Sequence, residues 1–164
     1  MLPPVLFDLI VELEGGDRVV HDPADPGGLT KWGISQRAFP GLDIANLSRE
    51  AARQIYDDRY WAPIRGNSLP WPVAVIVFDA AVNQGVRAAI RCLQRAVGTQ
   101  EDGVVGPATL RAVEALSASE AVERVAIERA HRYLALNNAV EERFERGWIA
   151  RLIKVTRRAI EWKA

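Results

Sequence analysis

Apolar residues recur at helical spacing along most of this chain of 164 residues. Seven segments place them three and four positions apart, so that each segment forms one apolar face. The third segment is apolar on all sides except at Asp79 and Asn83, which is typical of a helix buried in the centre of a domain. The pattern predicts helices over residues 6–13, 49–60, 72–85, 86–97, 107–116, 120–136 and 148–162.

Residues that favour helix ends lie at several of these boundaries. Gly15-Gly16 stops the first helix, which places Glu14 at its C-terminus. Ser48 is expected to cap the second helix and Ser119 the sixth. The sixth helix should stop near Asn137-Asn138.

One long segment has no helical pattern. Residues 14–35 contain five glycines and three aspartates, and such a loop is more often kept for what it holds in place than for packing. The chain shows no repeat, low-complexity tract or linker. We therefore expect one mainly α-helical domain over residues 1–164, with an irregular loop or a small β-hairpin near residues 17–45.

Composition narrows the class of protein. A chain with 49% hydrophobic and 26% charged residues has the profile of a soluble globular protein. Its longest apolar run, Val73–Phe78, is far shorter than the roughly 20 residues of a membrane span, and its first residues do not resemble a signal peptide. Cys92, the single cysteine, is expected to be a packing residue. His21 and His131 lack partners at metal-ligand spacing, so no metal or cofactor is expected.

Charge is distributed unevenly along the chain. Residues 1–80 carry seven Lys and Arg against eleven Asp and Glu, whereas residues 81–164 carry fourteen against ten. The C-terminal segment is the most basic part and includes Arg151, Lys154, Arg157 and Arg158. It is either a solvated helix face or a surface for weak contact with anionic polymers or membranes. We expect a monomer that does not bind nucleic acid.

The acidic loop suggests a specific chemistry. A helix C-terminus carries partial negative charge, and this charge together with partial burial would favour a protonated Glu14. Glycoside hydrolysis needs such an acid and a second carboxylate that stays ionised. Asp22 or Asp25 could provide that carboxylate, and Thr30 could orient a water. Acidic loops are common, however, so this spacing alone leaves ordinary surface-turn aspartates as the alternative.

Four motifs extend this interpretation over nearly the whole chain. They are EGG at 14–16 with DPADPGGLTKWGIS at 22–35, FDAAVNQG at 78–85, LQRAVG at 93–98 with DGVVGPATL at 102–110, and GWIAR at 147–151. In this order they resemble glycoside hydrolase family 108, which comprises phage endolysins and bacterial proteins once called secretion activators. The third motif is similar to the predicted peptidoglycan-binding segment of that family.

The resemblance implies a lysozyme-like fold and cleavage of the β-1,4 bond between N-acetylmuramic acid and N-acetylglucosamine in bacterial peptidoglycan. Glu14 matches the catalytic glutamate of the family and would be the general acid. Asp25 lies in the core of the motif, whereas the spacing of Asp22 from Glu14 is closer to that of phage-type lysozymes. We favour Asp25 as the second carboxylate and leave Asp22 open. Residues 1–85 would carry the catalytic residues, and residues 86–164 the wall-binding segment.

Other residues are candidates for contact with the sugars. Asp79, Asn83 and Gln84 could bind N-acetyl groups from the third helix, or instead satisfy polar groups inside the core. Trp32 could stack on a sugar ring, or be a core residue. Two alternatives to a muramidase stay open: a wall-binding or secretion-assisting protein without activity, and a lytic transglycosylase. As an endolysin, the protein would be made in the bacterial cytoplasm and act in the periplasm after release, expected to occur through a phage holin.

Overall fold

The computed structural model describes residues 1–16, 19–21, 28–135 and 139–162, and these form mainly α-helix. The helices are α1 Pro4–Leu13, α2 Arg49–Tyr56, α3 Trp71–Gln84, α4 Val86–Ala96, α5 Pro107–Glu114, α6 Ala118–Leu134 and α7 Ala139–Glu161. Three short strands follow α1: β1 Val20–His21, β2 Leu29–Lys31 and β3 Ile34–Ser35. The predicted mainly α fold with a small hairpin region between residues 17 and 45 is confirmed. The chain divides into two compact units, Met1–Arg59 and Tyr60–Ala164.

In the first unit, the apolar face of α1 forms the core. Phe7 has no exposed surface, and its ring centroid lies 5.6 Å from that of Tyr56 and 6.2 Å from that of Trp32. The N-terminus is tied to α2, because the Arg53 side chain donates a hydrogen bond to the Leu2 carbonyl oxygen at 2.8 Å. Ser48 caps α2 as predicted, since its Oγ accepts a 3.2 Å hydrogen bond from the Ala51 N–H.

The three strands form an antiparallel sheet in the order β1-β2-β3. Thr30 pairs with Val20 on one side and with Ser35 on the other. A two-residue turn, Trp32-Gly33, joins β2 to β3, and both residues have positive φ angles, 57° and 74°. Such angles are required by the type I′ turn, whose twist matches that of the flanking strands.

The second unit is built around α3. Every residue from Val73 to Ala81 is buried, as the apolar pattern of this segment predicted, and α4, α6 and α7 all pack against it. Trp61 adds an edge-to-face contact with Phe78, with ring centroids 5.5 Å apart. No helix among the described residues is long and apolar enough to cross a membrane.

Three helix boundaries differ from the prediction. Ser117, not Ser119, caps α6, because its Oγ accepts the Glu120 N–H at 3.2 Å. The last helix begins at Ala139, nine residues before the predicted Trp148. After α2, the chain continues through a π-helical stretch, Asp57–Trp61.

Candidate active site

Glu14 lies where α1 ends, as predicted. Its N–H donates to the Ile10 carbonyl oxygen at 2.9 Å, the last hydrogen bond of the α-helical pattern. Gly15 and Gly16 follow with φ angles of 100° and 96°, which only glycine adopts at little cost. The Glu14 side chain is exposed. The partial burial assumed in the sequence argument is therefore absent from this structure, whereas the helix-end position is confirmed.

Gly33 of the hairpin turn lies directly against Glu14. A Cβ atom at Gly33 would be 2.9 Å from Glu14 Cβ and 2.5 Å from the Tyr56 hydroxyl oxygen, closer than real Cβ atoms pack. Glycine at this position therefore lets the end of α1, the hairpin turn and α2 meet. The close approach holds the Cβ atom of Glu14 against the tip of the β2–β3 turn.

Trp32 supports this arrangement from the other position of the turn. A positive φ is strained for a bulky residue, and such strain persists only when the surroundings hold it. Here the indole N–H donates to the Leu47 carbonyl oxygen at 3.1 Å, and the Trp32 carbonyl oxygen accepts from the Tyr56 hydroxyl at 3.0 Å. Because the ring is half-buried and also contacts Phe7, Trp32 helps to hold the turn. Its predicted stacking on a sugar stays a prediction.

Of the other predicted catalytic residues, Thr30 is the one that the structure describes. Thr30 is half-buried in the central strand β2, three residues before Gly33. Asp22 and Asp25 lie outside the described residues, so the choice between them as second carboxylate stays open. The structure thus brings Glu14 to the same hairpin that contains Thr30 and Trp32.

Asp79 has a different environment, in the second unit. Its side chain is fully buried, with Oδ2 2.7 Å from Arg129 Nη2 and Oδ1 2.8 Å from Arg151 Nε. In this arrangement its carboxylate is not available to a sugar. The structure favours the alternative in which Asp79 satisfies polar groups inside the core. Those groups are side chains of α6 and α7. Arg151 is only 12% exposed, so the prediction that it belongs to a basic surface is wrong.

Asn83 and Gln84 extend this buried cluster toward the end of α3. Asn83 Oδ1 accepts a 2.6 Å hydrogen bond from the Tyr133 hydroxyl, and Gln84 Oε1 accepts one from Arg129 Nε at 3.3 Å. Burial raises the pKa of Tyr133 above its ordinary value, so its hydroxyl stays protonated well beyond neutral pH. Gln84 Nε2 is buried and has no hydrogen-bond partner among the described residues. The predicted sugar contacts of Asn83 and Gln84 stay predictions.

The cluster also links two of the sequence motifs. Asp79 belongs to FDAAVNQG and Arg151 to GWIAR, and Trp148 of GWIAR stacks on Tyr133 with ring centroids 5.3 Å apart. Arg129 and Tyr133 were not among the site residues predicted from the sequence. Arg129 carried a usable signal, because it falls in step with the apolar positions of α6, where a charge requires a buried partner.

The third motif forms a turn held by Gln94. This side chain is buried; its Nε2 donates to Asp102 Oδ1 at 2.6 Å and to the Val104 carbonyl oxygen at 3.0 Å, while its Oε1 accepts the Gly103 N–H at 2.9 Å. The Gln94 hydrogen bond is the main cause that lowers the pKa of Asp102. The segment thus forms the turn that joins α4 to α5. Across the described part of the chain, no three His, Cys, Asp or Glu residues are grouped as a metal site requires.

Comparison with known proteins assigns the family. The family model described as Glycosyl hydrolase 108 matches residues 7–85, and the model described as Predicted Peptidoglycan domain matches residues 88–153. The solved structure of Brucella abortus SagA is similar, with 30% sequence identity and a TM-score of 0.78. The match covers 93% of this chain and 90% of the SagA chain. None of the curated proteins compared matches the chain. The chain belongs to glycosyl hydrolase family 108, which confirms the resemblance seen in the sequence.

Proposed function

We propose that this protein is a peptidoglycan hydrolase, an N-acetylmuramidase that cleaves the β-1,4 bond between N-acetylmuramic acid and N-acetylglucosamine. The observation that carries the proposal is the placement of Glu14: an exposed carboxyl group at the end of α1, held by Gly33 against the hairpin turn. Both residues lie within the part of the chain that the glycosyl hydrolase model matches. The second model supports peptidoglycan as the polymer that is bound.

In this mechanism Glu14 is the general acid. Its carboxyl group donates a proton to the glycosidic oxygen as the bond to the muramic acid ring breaks. Asp25, or alternatively Asp22, stabilises the positive charge that develops on the sugar or activates the attacking water. Thr30, on β2 of the same hairpin, orients that water. Because Gly33 packs against the Cβ atom of Glu14, a bound glycan would meet the carboxyl group at a defined position.

Replacing Glu14 tests the proposal. Glu14→Gln should lower turnover of purified peptidoglycan by about 10²- to 10⁴-fold, the usual contribution of a positioned general acid. It should leave the melting temperature nearly unchanged, because the side chain is exposed. Glu12→Gln is the matched control: it makes the same chemical change at another exposed position of α1 and should retain activity. Mass spectrometry of the released ends identifies the reaction.

The released ends also separate the alternatives. Reducing muramic acid ends, lost in Glu14→Gln but not in Glu12→Gln, support the muramidase. Ends of the 1,6-anhydro type would identify a lytic transglycosylase instead. A wild-type protein that binds peptidoglycan without cleaving it would be a binding protein, and the proposed activity would then be wrong.

A further inference from the structure

A cationic cavity lies in the second unit, between α4, α6 and the turn that follows α4. It encloses about 650 Å³, within the range of about 300–1,000 Å³ that is usual for ligand sites. Helix α4 contributes residues spaced four apart, α6 contributes two more, and the turn after α4 contributes an acid. The titratable lining residues are Arg87, Arg91, Cys92, Arg95, Glu101, His131 and Arg132.

Among the residues that the structure describes, one of the four arginines is neutralised by ion pairs. Arg95 makes two hydrogen bonds to the Glu101 carboxylate, at 3.0 and 2.6 Å, and a third to Glu128 at 3.2 Å. Among the described residues, Arg87, Arg91 and Arg132 have no ion pair, and all three are exposed. Three guanidinium groups around one cavity repel each other unless an anion lies between them.

The charges of these arginines also change the pKa values of two neighbouring groups, Cys92 and Glu101. Burial raises the pKa of the Cys92 thiol in the cavity wall, and the charges of Arg132 and Arg95 act in the opposite direction. The hydrogen bond from Arg95 lowers the pKa of Glu101, and the charge of Arg91 lowers it further. Arginines from both α4 and α6 therefore act on the same small region. The Arg95–Glu101 pair forms one wall of the cavity, while the other three arginines remain available to a ligand.

We propose that this cavity binds the carboxylates of the peptidoglycan stem peptide. This inference rests on the proposed function for the choice of polymer. Within that polymer, hydroxyl and N-acetyl groups of the glycan are neutral, whereas the stem peptide carries free carboxylates. Planar guanidinium groups bind carboxylates through paired hydrogen bonds. The arginine-rich lining therefore selects the peptide rather than the sugars, and nearly all of it lies within residues 88–153 of the predicted peptidoglycan domain.

Calorimetric titration with defined muropeptides tests the inference. The first probe is a disaccharide-tripeptide with free carboxyl groups, in which muramic acid is the reducing-end sugar. It therefore lacks the bond from muramic acid to the next glucosamine, which is the bond that a muramidase cleaves. The second probe is the same compound fully amidated. We expect the wild-type chain to bind the free acid about tenfold or more tightly than the amide, because charge-assisted hydrogen bonds are the strong ones. The variant Arg91→Gln/Arg132→Gln should lose this preference and bind both probes alike.

The matched control is Arg111→Gln/Arg158→Gln, which removes two exposed arginines of α5 and α7 that do not line the cavity. It should keep the preference for the free acid. Melting curves for both double variants establish that each is folded. Equal binding of the two probes by the wild type would overturn the proposal, and so would equal loss in both double variants. Tighter binding of a short single-stranded oligonucleotide at the same arginines would also overturn it, in favour of a polyanion site.

The two proposals fail in different ways. If wild-type protein cleaves peptidoglycan but shows no preference for the free acid, the cavity proposal is wrong and the muramidase stands. If it binds the free acid through Arg91 and Arg132 but never cleaves, the cavity proposal stands and the activity is wrong.

Discussion

Two carboxylates in this chain, Glu14 and Asp79, each belong to one of the family motifs. Their surroundings are opposite. Glu14 is exposed at the end of α1, beside a glycine turn. Asp79 is fully buried in α3, and both of its oxygens contact guanidinium groups, those of Arg129 and Arg151. An acidic residue in a family motif can thus serve chemistry or hold helices together, and its surroundings distinguish these roles.

Removing the buried charge should have the largest effect on stability. Asp79→Asn keeps the shape of the side chain but leaves Arg129, which has no exposed surface, without its anion. Breaking one partner of a buried pair costs about 3–5 kcal/mol. We expect the free energy of unfolding, measured by urea denaturation, to fall by about this amount, whereas Glu14→Gln should change it by less than about 0.5 kcal/mol.

The comparison fails if the two variants are equally stable. A loss of less than about 1 kcal/mol in Asp79→Asn would mean that the arginines find other partners or water. A large loss in Glu14→Gln would mean that this carboxylate has a structural role too. Either result would weaken the division between a chemical and a structural acid.

The contact between Gly33 and Glu14 gives the next largest effect. Gly33→Ala places a side chain in the left-handed region, at a cost of about 1–2 kcal/mol, and forces an overlap with Tyr56 and Glu14 that costs about 1–3 kcal/mol more. We expect the free energy of unfolding to fall by roughly 2–5 kcal/mol, the sum of the two. Turnover of peptidoglycan by the folded fraction should fall as well, because Glu14 is displaced.

Two further variants separate strain from displacement. Gly41→Ala is the control, because Gly41 has no atom near its Cβ position and no positive φ, and it should be nearly neutral. In the double variant Gly33→Ala/Tyr56→Phe the closest overlapping atom is gone, so the two changes should cost less together than the sum of the single changes. Strict additivity would show that the overlap at Gly33 is not what matters.

Much of the scaffold could be predicted from the sequence, since local rules determine it. The Ser48 cap, the glycine stop after Glu14 and the buried character of α3 depend on spacing and residue type alone. The position of Ser117 shows the limit, because Ser117 and Ser119 are both good caps and residue type alone does not choose between them. The earlier start of α7 at Ala139 shows the same limit, because helix propensity is a weak prior.

The candidate site was less predictable, because its geometry depends on residues far apart in the chain. The approach of Gly33 to Glu14 joins a helix end to a turn nineteen positions later, and no periodicity encodes such a contact. Arg129 of α6 and Asp79 of α3 are fifty positions apart in the chain, yet their side chains meet. Sequence patterns assigned each residue to an element, but only the fold shows which carboxylates are exposed.

A third carboxylate, Asp8, has the smallest expected effect on stability. Like Asp79 it pairs with an arginine, Arg49, but the two side chains are 58% and 37% exposed. Exposed pairs contribute only about 0–1 kcal/mol, because water and salt screen them. Asp8→Asn should therefore lower the free energy of unfolding by less than about 1 kcal/mol, and the loss should shrink further at high salt.

Arg49→Gln serves as the complementary variant and should cost more than Asp8→Asn. The guanidinium carbon of Arg49 also lies 5.5 Å from the ring centroid of Phe7, a cation–π contact that the loss of Asp8 leaves in place. If Asp8→Asn instead destabilised the protein as much as Asp79→Asn, pairing with an arginine would matter more than burial. The contrast between Glu14 and Asp79 would then have to be explained by their partners and not by their exposure.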